Sequence, residues 1–404
     1  MAVLILACCV VLMLYHHVGY PFLLRLLARR TERRRSLSQA DERFSGPTVA
    51  TPSVELLIPA HNEERVIRRK MINCTELDYP SDKLAIVIAL DGCRDGTETI
   101  LKATLVEYPV NNTRTVAIES NIGKIGVLNR LIPELQADLV GLSDASALLS
   151  PDAIERAVRH FIDPHVGVVC GTYSMPEDAA PGERAYWDYQ IQIKSDEALV
   201  AAPMGAHGAF YMFRRELWTP LEPDTINDDF MLPMRMVAGG WKAIYDRQIV
   251  ATELEATNSR QDFRRRVRIG AGNLQQALRL WTLANPMKPA LAFVFVSGKG
   301  LRSIMPFILL AGFAASVSLA LSGGLVWQLL LVAEVAAALL VIVAAAMPGR
   351  APRPLNFLIY LVQGYVAAGL GALLLLSGRA RTAWQVSRAG RNSVHHPTSA
   401  DTQP

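Results

Sequence analysis

The chain of 404 residues is 51% hydrophobic and only 19% charged, with 41 Lys and Arg residues against 37 Asp and Glu residues. The net charge of +4 excludes a nucleic-acid-binding protein that depends on bulk positive charge. The composition also excludes disordered, collagen-like and small secreted proteins. Five cysteines without a CxxC spacing argue against a disulfide framework or a structural zinc site, and indicate a mostly reducing environment.

An apolar segment at the N-terminus, from about Ala2 to Leu24, is interrupted only by His16 and His17. This length is sufficient to cross a bilayer core of about 30 Å. Six arginines follow within residues 25–35. Because a cleavable signal peptide carries its positive charge before the apolar run, the order favours a retained transmembrane anchor whose basic end lies in the cytoplasm.

Short β-rich runs alternate with helical stretches between about residue 51 and residue 285. This alternation predicts an α/β fold, with a mostly parallel sheet covered by helices on both faces. In such a sheet, ligands bind beyond the carboxyl ends of the strands. The predicted strands are Val54–Ile58, Leu84–Leu90, Thr115–Ile118, Asp138–Leu142, Val166–Cys170 and Ala209–Phe213. The predicted helices begin at Asn62, Thr97, Gly123, Ser150, Gly182 and Asp229.

Three further apolar runs predict transmembrane helices at Ile304–Leu321, Leu325–Met347 and Leu355–Leu376. Pro286–Val296 is a candidate interfacial stretch before them. Three spans would leave the tail outside, whereas its arginines favour the inside, so the side of the tail stays open. The predicted organisation is an anchor (1–28), a basic linker (29–50), an α/β domain (51–260), interfacial amphipathic helices (261–302), three transmembrane helices (303–377) and a tail (378–404).

Polar residues follow several of the predicted strands. The segment Pro59-Ala60-His61-Asn62-Glu63 comes after the first strand, Asp91 after the second and Asp144 after the fourth, and the acidic pair Asp228-Asp229 lies further along the chain. One acidic strand end is common, because Asp and Gly form turns. Three acidic strand ends in register along one sheet would build an acidic pocket at a single edge.

These segments carry a family resemblance. In chain order they read PAHNEE, DGCRDGT, GKIGVLN, SDAS, INDDFMLPMRMVAGGW and QDFRRR. The series resembles the inverting family 2 glycosyltransferases of the GT-A (Rossmann-like) fold. More narrowly, it is similar to membrane-embedded synthases of cellulose, hyaluronan, poly-N-acetylglucosamine and chitin oligosaccharides. The resemblance covers about residues 51–285 and the arrangement of apolar segments. It implies a multi-pass protein of the plasma (inner) membrane with a cytoplasmic catalytic domain.

The resemblance assigns the nucleotide site. Pro59, Ala60 and Glu63 would line the nucleotide pocket, and Asp91 would accept hydrogen bonds from the uracil edge of a UDP-sugar. Lys124, at a predicted helix start, would bind the diphosphate. Glu63 could equally stabilise the first turn of a helix, and Lys124 has the alternative of a solvated surface lysine.

Asp144 is the candidate metal ligand. A Mg²⁺ or Mn²⁺ ion between Asp144 and the diphosphate would stabilise the charge that develops on the leaving group. The sequence departs here from the family, because the usual DxD reads Asp144-Ala145-Ser146. The loss of the second carboxylate is expected to weaken metal binding.

The acidic pair is the candidate catalytic centre. Asp229 would be the general base that takes the proton of the acceptor hydroxyl, and Asp228 would orient the base or the acceptor. One direct displacement inverts the anomeric carbon, so one base is sufficient. The alternative is that both residues only stabilise the start of the following helix.

Four further residues have proposed contacts to the diphosphate or the acceptor. The segment from Gln261 to Arg265 resembles the QxxRW motif through Gln261 and Arg264, but Arg265 stands where the family has a tryptophan that stacks on the acceptor sugar. This departure puts long-chain processivity in doubt. These arginines could also bind anionic headgroups. His207 could contact the acceptor or the diphosphate, and a structural role is equally compatible.

The leading function is transfer of a sugar from a UDP-sugar to a growing β-linked cell-surface polysaccharide. The expected partners are the donor, a glycan or lipid-linked acceptor, membrane lipids and an export partner, with no nucleic acid. The alternative is transfer of one sugar to a polyprenyl-phosphate or lipid-linked acceptor. A third reading, a catalytically silent membrane scaffold, is opposed by the presence of Asp91, Asp144 and Asp229.

Overall fold

The computed structural model describes residues 1–38, 51–175, 181–254, 259–346 and 353–379. Its strands are β1 (Val54–Ala60), β2 (Leu84–Asp91), β3 (Thr113–Ile118), β4 (Leu139–Leu142), β5 (Ala147–Leu149), β6 (Val166–Ser174), β7 (Tyr211–Arg214) and β8 (Lys242–Glu253). The first helices are α1 (Ala2–Leu14), α2 (Tyr20–Ser38), α3 (Ile67–Thr75), α4 (Thr97–Glu107), α5 (Gly123–Leu131), α6 (Ala153–His160) and α7 (Pro181–Val200). The later helices are α8 (Asp228–Ala238), α9 (Ser259–Arg279), α10 (Pro289–Val294), α11 (Leu301–Leu321), α12 (Leu325–Ala346) and α13 (Arg353–Leu376).

The eight strands form one sheet in the order β3-β2-β1-β4-β7-β6-β8-β5. The first four are parallel, as predicted. Strand β7 is antiparallel to both of its neighbours, β6 and β8 are parallel, and β5 is antiparallel to β8. The sheet is therefore mixed in its second half. Strands β5 and β8 were not predicted, because β5 has only three residues and polar residues interrupt β8.

The core lies on both faces of the sheet. In β1, Leu56 and Ile58 belong to one cluster of buried side chains, and Leu57 belongs to the other. This alternation follows from the two-residue repeat of a strand. Parallel strands covered on both faces read as nearly continuous apolar runs, as β1 and β2 do.

Two predicted helix starts are too early. Helix α6 begins at Ala153 rather than at Ser150. Helix α3 begins at Ile67 rather than at Asn62. Asn62 adopts a positive φ of 58°, and its side-chain Oδ1 accepts a hydrogen bond from the backbone N–H of Arg94. The amide thus joins two loops at the edge of the sheet instead of capping a helix, and short Asn side chains tolerate this left-handed conformation.

The described residues fall into two compact units. The larger lies within residues 7–256 and 276–302, and the smaller lies within residues 1–6, 257–275 and 303–404. Among the residues that the structure describes, three helical segments are long and apolar enough to span a membrane, at Ala2–Arg33, Pro289–Leu321 and Leu325–Ala344, and α13 contributes a shorter apolar stretch, Leu361–Leu376. The expected interfacial stretch belongs largely to the Pro289–Leu321 segment. Mid-helix Glu334 accepts a hydrogen bond from Ser316 at 2.9 Å.

Candidate active site

A lysine joins two carboxylates beyond the carboxyl ends of the parallel strands. Lys124 Nζ donates a hydrogen bond to Asp144 Oδ1 at 2.9 Å and lies 3.2 Å from Asp228 Oδ2. Asp144 follows β4, Lys124 is in the first turn of α5, and Asp228 is the first residue of α8. Three segments that are far apart in the sequence therefore meet at one edge of the sheet.

Gly208 lies in the middle of this cluster. A methyl group at residue 208 would be 3.0 Å from Asp144 Oδ2, 3.6 Å from Asp229 Oδ2 and 3.7 Å from Lys124 Nζ. Asp229 is consequently part of the same group of charges. The absence of a side chain at residue 208 keeps the space between the three charged groups open.

Burial and charge set the protonation of the cluster. Burial has the largest effect on the pKa of Asp229 and raises it, and the negative charge of Asp228 raises it further. Burial alone would lower the pKa of Lys124, but Asp144, Asp228 and Asp229 outweigh it and raise that pKa. The buried Tyr211 donates a hydrogen bond from its hydroxyl to Asp228 Oδ2 at 3.1 Å. Lys124 is thus a firmly charged counter-ion, and Asp229 is a carboxylate of increased basicity.

Asp91 is buried, and its carboxylate receives two backbone hydrogen bonds. The N–H groups of Ile122 and Gly123 donate to its two oxygens at 2.7 and 2.9 Å. Asp91 therefore anchors the start of α5, the helix that carries Lys124. The following Gly92 has a φ of 60°, and a Cβ there would lie 2.4 Å from the backbone nitrogen of Asn121. The contact between Asp91 and a nucleotide stays a prediction. It is compatible with the two backbone hydrogen bonds, because each carboxylate oxygen has a further lone pair.

The loop after β1 is joined to the loop after β2. The backbone N–H of Glu63 donates to the Thr97 hydroxyl at 2.7 Å, and the Cys93 thiol donates to the Ala60 carbonyl at 3.5 Å. Asp95 accepts hydrogen bonds from the Thr97 N–H and hydroxyl, so its carboxylate stabilises the turn that leads into α4. Pro59 and Ala60 are the last residues of β1. The roles of Pro59, Ala60 and Glu63 at a nucleotide stay predictions.

Sequence reasoning missed Lys70. This residue of α3 is fully buried, and its Nζ donates to Ser143 Oγ at 2.7 Å and to the Ala147 carbonyl at 2.5 Å. It therefore holds the Asp144 loop from both sides. Burial lowers the pKa of Lys70 to about 8. The available signal was its position on the buried face of α3, which also includes Ile67, Met71 and Cys74.

His207 lies within a group of aromatic rings. It stacks on Tyr173 with ring centroids 4.0 Å apart, and Trp187 meets it edge-on at 5.3 Å. The packing supports a structural role, and an acceptor contact stays a prediction. Gln261, Arg264 and Arg265 belong to α9 and to the smaller unit, so the structure does not assign them to this cluster, and their role at the diphosphate also stays a prediction.

The donor set fits a divalent ion that the protein shares with a diphosphate. Within the described ranges, no group of three or more His, Cys, Asp or Glu side chains could hold an ion by itself. Asp144 offers a hard oxygen ligand, and its side chain is 42% exposed. Mg²⁺ is commonly held by one or two carboxylates together with phosphate oxygens. Asp144 would serve as such a ligand.

Comparison with known sequences identifies the family of the chain. Residues 52–272 match the profile of the glycosyltransferase-like family 2, which is more than half of the chain. The chain belongs to this family. The predicted family is thereby confirmed, whereas the narrower polysaccharide-synthase type is not established by this match.

Curated relatives of the chain differ in their products. A β-monoglucosyldiacylglycerol synthase of Synechocystis sp. is 26% identical over 241 residues, which is 58% of this chain and 50% of that protein. A poly-β-1,6-N-acetyl-D-glucosamine synthase of Staphylococcus aureus is 24% identical over 237 residues, which is 56% of each protein. The chain spans about half the length of the curated relatives it matches.

Comparison with solved structures confirms the predicted fold class. A mannosyltransferase of Pyrobaculum calidifontis, in complex with GDP-Man and Mn²⁺, superimposes with a TM-score of 0.68 at 23% identity. The superposition covers 91% of this chain and 99% of that one. Together with the eight-stranded sheet, this likeness establishes the GT-A fold of the family 2 enzyme.

Proposed function

We propose that the family 2 enzyme transfers a sugar from a UDP-sugar to a hydroxyl group of a membrane-bound acceptor, with inversion of the anomeric carbon. The observation that supports this most directly is the bridge from Lys124 to Asp144 and Asp228, with Asp229 in the same cluster. A site of this kind holds both a cation for a diphosphate and a carboxylate base.

The proposed reaction is a single displacement. The acceptor oxygen forms a bond to the anomeric carbon while the bond from that carbon to the diphosphate breaks, and UDP leaves with the electron pair. Asp229 accepts the proton of the acceptor hydroxyl. The raised pKa of Asp229 supports this role, because a more basic carboxylate is a better proton acceptor. Asp228, held by Tyr211, orients Lys124.

The donor would bind along the first half of the sheet. Pro59, Ala60, Glu63 and Asp91 would contact the nucleotide, and Lys124 would exchange one carboxylate partner for a diphosphate oxygen. A bound Mg²⁺ or Mn²⁺ ion would stabilise the charge on the leaving diphosphate. Asp144 would hold that ion, with weaker affinity than a complete DxD motif provides.

The apolar helices support a location in the plasma membrane, with the catalytic domain in the cytoplasm where nucleotide sugars are made. In that arrangement there are two alternative roles for the arginines of α9. Gln261, Arg264 and Arg265 would bind the diphosphate and acceptor, or the arginines would bind anionic headgroups.

Two acceptor classes remain in competition. The resemblance to polysaccharide synthases favours a growing β-linked polysaccharide, which would require an export partner. The replacement of the stacking tryptophan by Arg265 favours a single transfer to a lipid. A second observation also favours the lipid: Lys299, in an apolar helical segment, lies over the ring of Phe230, next to Asp229. We therefore place the lipid acceptor first.

The test is UDP release by the purified full chain in lipid nanodiscs, with Mn²⁺ or Mg²⁺ and a panel of UDP-sugars. Product size separates the two acceptors, and the NMR coupling at the anomeric proton reports inversion. We expect release with one donor and a product that carries one sugar. A polymeric product would support the polysaccharide reading, and retention of configuration would contradict the role of Asp229.

A further inference from the structure

Lys299 is an ionisable residue inside a helical segment of 33 residues that is apolar enough to span a membrane. It belongs to a π-helical turn, Phe295–Gly300, and such turns often occur at functional sites. Ionisable residues in these segments are costly and commonly mark a substrate path. The Nζ of Lys299 lies 4.1 Å from the ring centroid of Phe230. Phe230 follows Asp229 in α8, so a cation from the apolar segment lies at the helix turn that carries the proposed base, with which it interacts electrostatically.

A second π-helical turn packs against the first. Tyr15–Gly19 interrupts the N-terminal apolar helix. A hydrogen bond of 2.8 Å joins the Tyr15 hydroxyl to Ser297 Oγ, and His16 Nδ1–H donates to the Ser297 carbonyl at 3.3 Å. Two apolar helical segments thus present polar groups to each other at the same place, beside Lys299.

Gly298 makes this close approach feasible. A Cβ at residue 298 would be 2.8 Å from the Tyr20 hydroxyl and 3.1 Å from Glu197 Oε1. Tyr20 donates to Glu197 Oε1 at 2.9 Å, and the backbone N–H of Met204 donates to Glu197 Oε2 at 3.2 Å. Helix α7 therefore completes the polar junction between the N-terminal helix and the Lys299 turn.

Positive charge exceeds negative charge around Lys299. Lys299 interacts electrostatically with Arg302 and Lys194, and with the acids Asp229 and Glu197. Lys194 Nζ donates to the carbonyls of residues 205 and 206 at 3.0 and 3.1 Å, and Arg302 donates to Gln190 at 3.2 Å. Three cations therefore face two acids in this group.

We propose that Lys194, Lys299 and Arg302, here called the cationic cluster, bind the phosphate group of the lipid acceptor and thereby hold its free hydroxyl at Asp229. Lysine and arginine together suit a phosphate, which accepts several charge-assisted hydrogen bonds. The Pro289–Leu321 segment is longer than the roughly 20 residues that a span needs, and its uncharged part begins at Ile304, so Lys299 and Arg302 lie in the end of the segment where headgroups are expected. The proposal rests on the lipid form of the proposed function.

The experiment compares acceptors with and without a phosphate group, and with and without acyl chains. The full chain, supplied with its UDP-sugar in detergent micelles, is given phosphatidylglycerol, diacylglycerol or free glycerol 3-phosphate. We expect phosphatidylglycerol to be the best acceptor. Equal use of diacylglycerol would overturn the phosphate assignment. Equal use of glycerol 3-phosphate would show that a free phosphate ester is bound, and would overturn the lipid assignment.

Variants locate the effect in the cluster. Lys299→Met is expected to raise the KM for phosphatidylglycerol about tenfold, which corresponds to one charge-assisted hydrogen bond, and Lys299→Arg is expected to restore most of it. Lys288→Met removes an exposed charge of the same helical region and is the matched control. Only variants that bind UDP like the original chain, and are therefore folded, are compared. An equal rise of this KM in Lys288→Met would show that the lysine acts only by nonspecific electrostatic attraction, and would overturn the assignment of the cationic cluster.

A binding measurement separates this proposal from the proposed function. Native mass spectrometry of the full chain counts bound phosphatidylglycerol without requiring turnover. If no UDP is released with any acceptor, the proposed function fails, while a loss of bound phosphatidylglycerol in Lys299→Met but not in Lys288→Met still supports the cluster. Equal phosphatidylglycerol binding by the two variants would overturn it.

Discussion

Lys124 Nζ donates a hydrogen bond to Asp144 Oδ1 at 2.9 Å, so the proposed diphosphate-binding cation and the proposed metal ligand are partners in the protein itself. The same ammonium group lies 3.2 Å from Asp228. A single cation thus keeps the carboxylates of the site together. The charge of Lys124 lowers the pKa of Asp229, against the larger effects of burial and of the Asp228 charge, which raise it.

Replacement of this cation tests that effect. Lys124→Met removes the positive charge that lowers the pKa of Asp229, so that pKa is expected to rise further. Asp229 must be ionised to act as a base, and the acidic limb of the pH profile of kcat should therefore move to higher pH. The measurement is the initial rate of UDP release from pH 5 to pH 9. Lys102→Met, in which an exposed lysine of α4 is replaced, is the control. An unchanged acidic limb in Lys124→Met would contradict the coupling.

Replacement of the proposed base tests the mechanism. Asp229→Asn is expected to lower kcat by about 10²–10⁴-fold while UDP affinity changes little, because the base acts mainly in the transition state. The measurements are UDP release and UDP binding by calorimetry. Asp163→Asn, at an exposed carboxylate paired with Lys242, is the matched control. Normal turnover by Asp229→Asn would rule out the assignment.

The altered metal motif predicts a gain of function. Ser146→Asp restores the second acid of the DxD pattern. It is expected to lower the Mn²⁺ concentration that half-saturates UDP binding about tenfold, since a carboxylate is a stronger ligand than a hydroxyl. Asp144→Ala is expected to abolish that dependence. Calorimetric titration of UDP at several Mn²⁺ concentrations measures both. Asp144→Ala with an unchanged titration would remove Asp144 from the metal site.

Lys70 is expected to position Asp144, because its hydrogen bonds hold the loop on both sides of that residue. Lys70→Met should raise the KM for the UDP-sugar about tenfold, through a less ordered loop. The control is Lys83→Met, at an exposed lysine. A KM equal to that of the original chain would show that the loop holds its position without Lys70.

The same residue predicts a dependence of stability on pH. Burial lowers the pKa of Lys70 to about 8, from an ordinary value of 10.5. Between these values the unfolded chain binds the proton and the folded chain releases it, so stability rises with pH. Relative to Lys70→Met, the original chain should gain about 1 kcal/mol per pH unit in this window. Thermal unfolding in detergent at pH 7.5 and pH 9.5 measures the difference, and equal shifts in both proteins would contradict the burial of a titrating lysine.

Local sequence patterns determined the first half of the sheet. The apolar runs of β1, β2 and β4 are continuous, so their burial is recognisable within a few residues. The acids that follow these strands share one edge because parallel strands bring their carboxyl ends together. The family could also be recognised, since its motifs retain their order and spacing.

The tertiary structure decided which of these groups are partners. Lys70 and Ser143 are 73 residues apart in the chain, and no local pattern specifies that contact. The left-handed Asn62, the strand pairing of β8 and the approach of Lys299 to Phe230 likewise depend on distant segments. Hydrophobic periodicity indicates which side of a helix or strand is buried. The hydrogen-bond partner of a buried polar group depends on the packing of the whole chain, because such a group must be hydrogen-bonded and its partner can come from any segment that the fold places beside it.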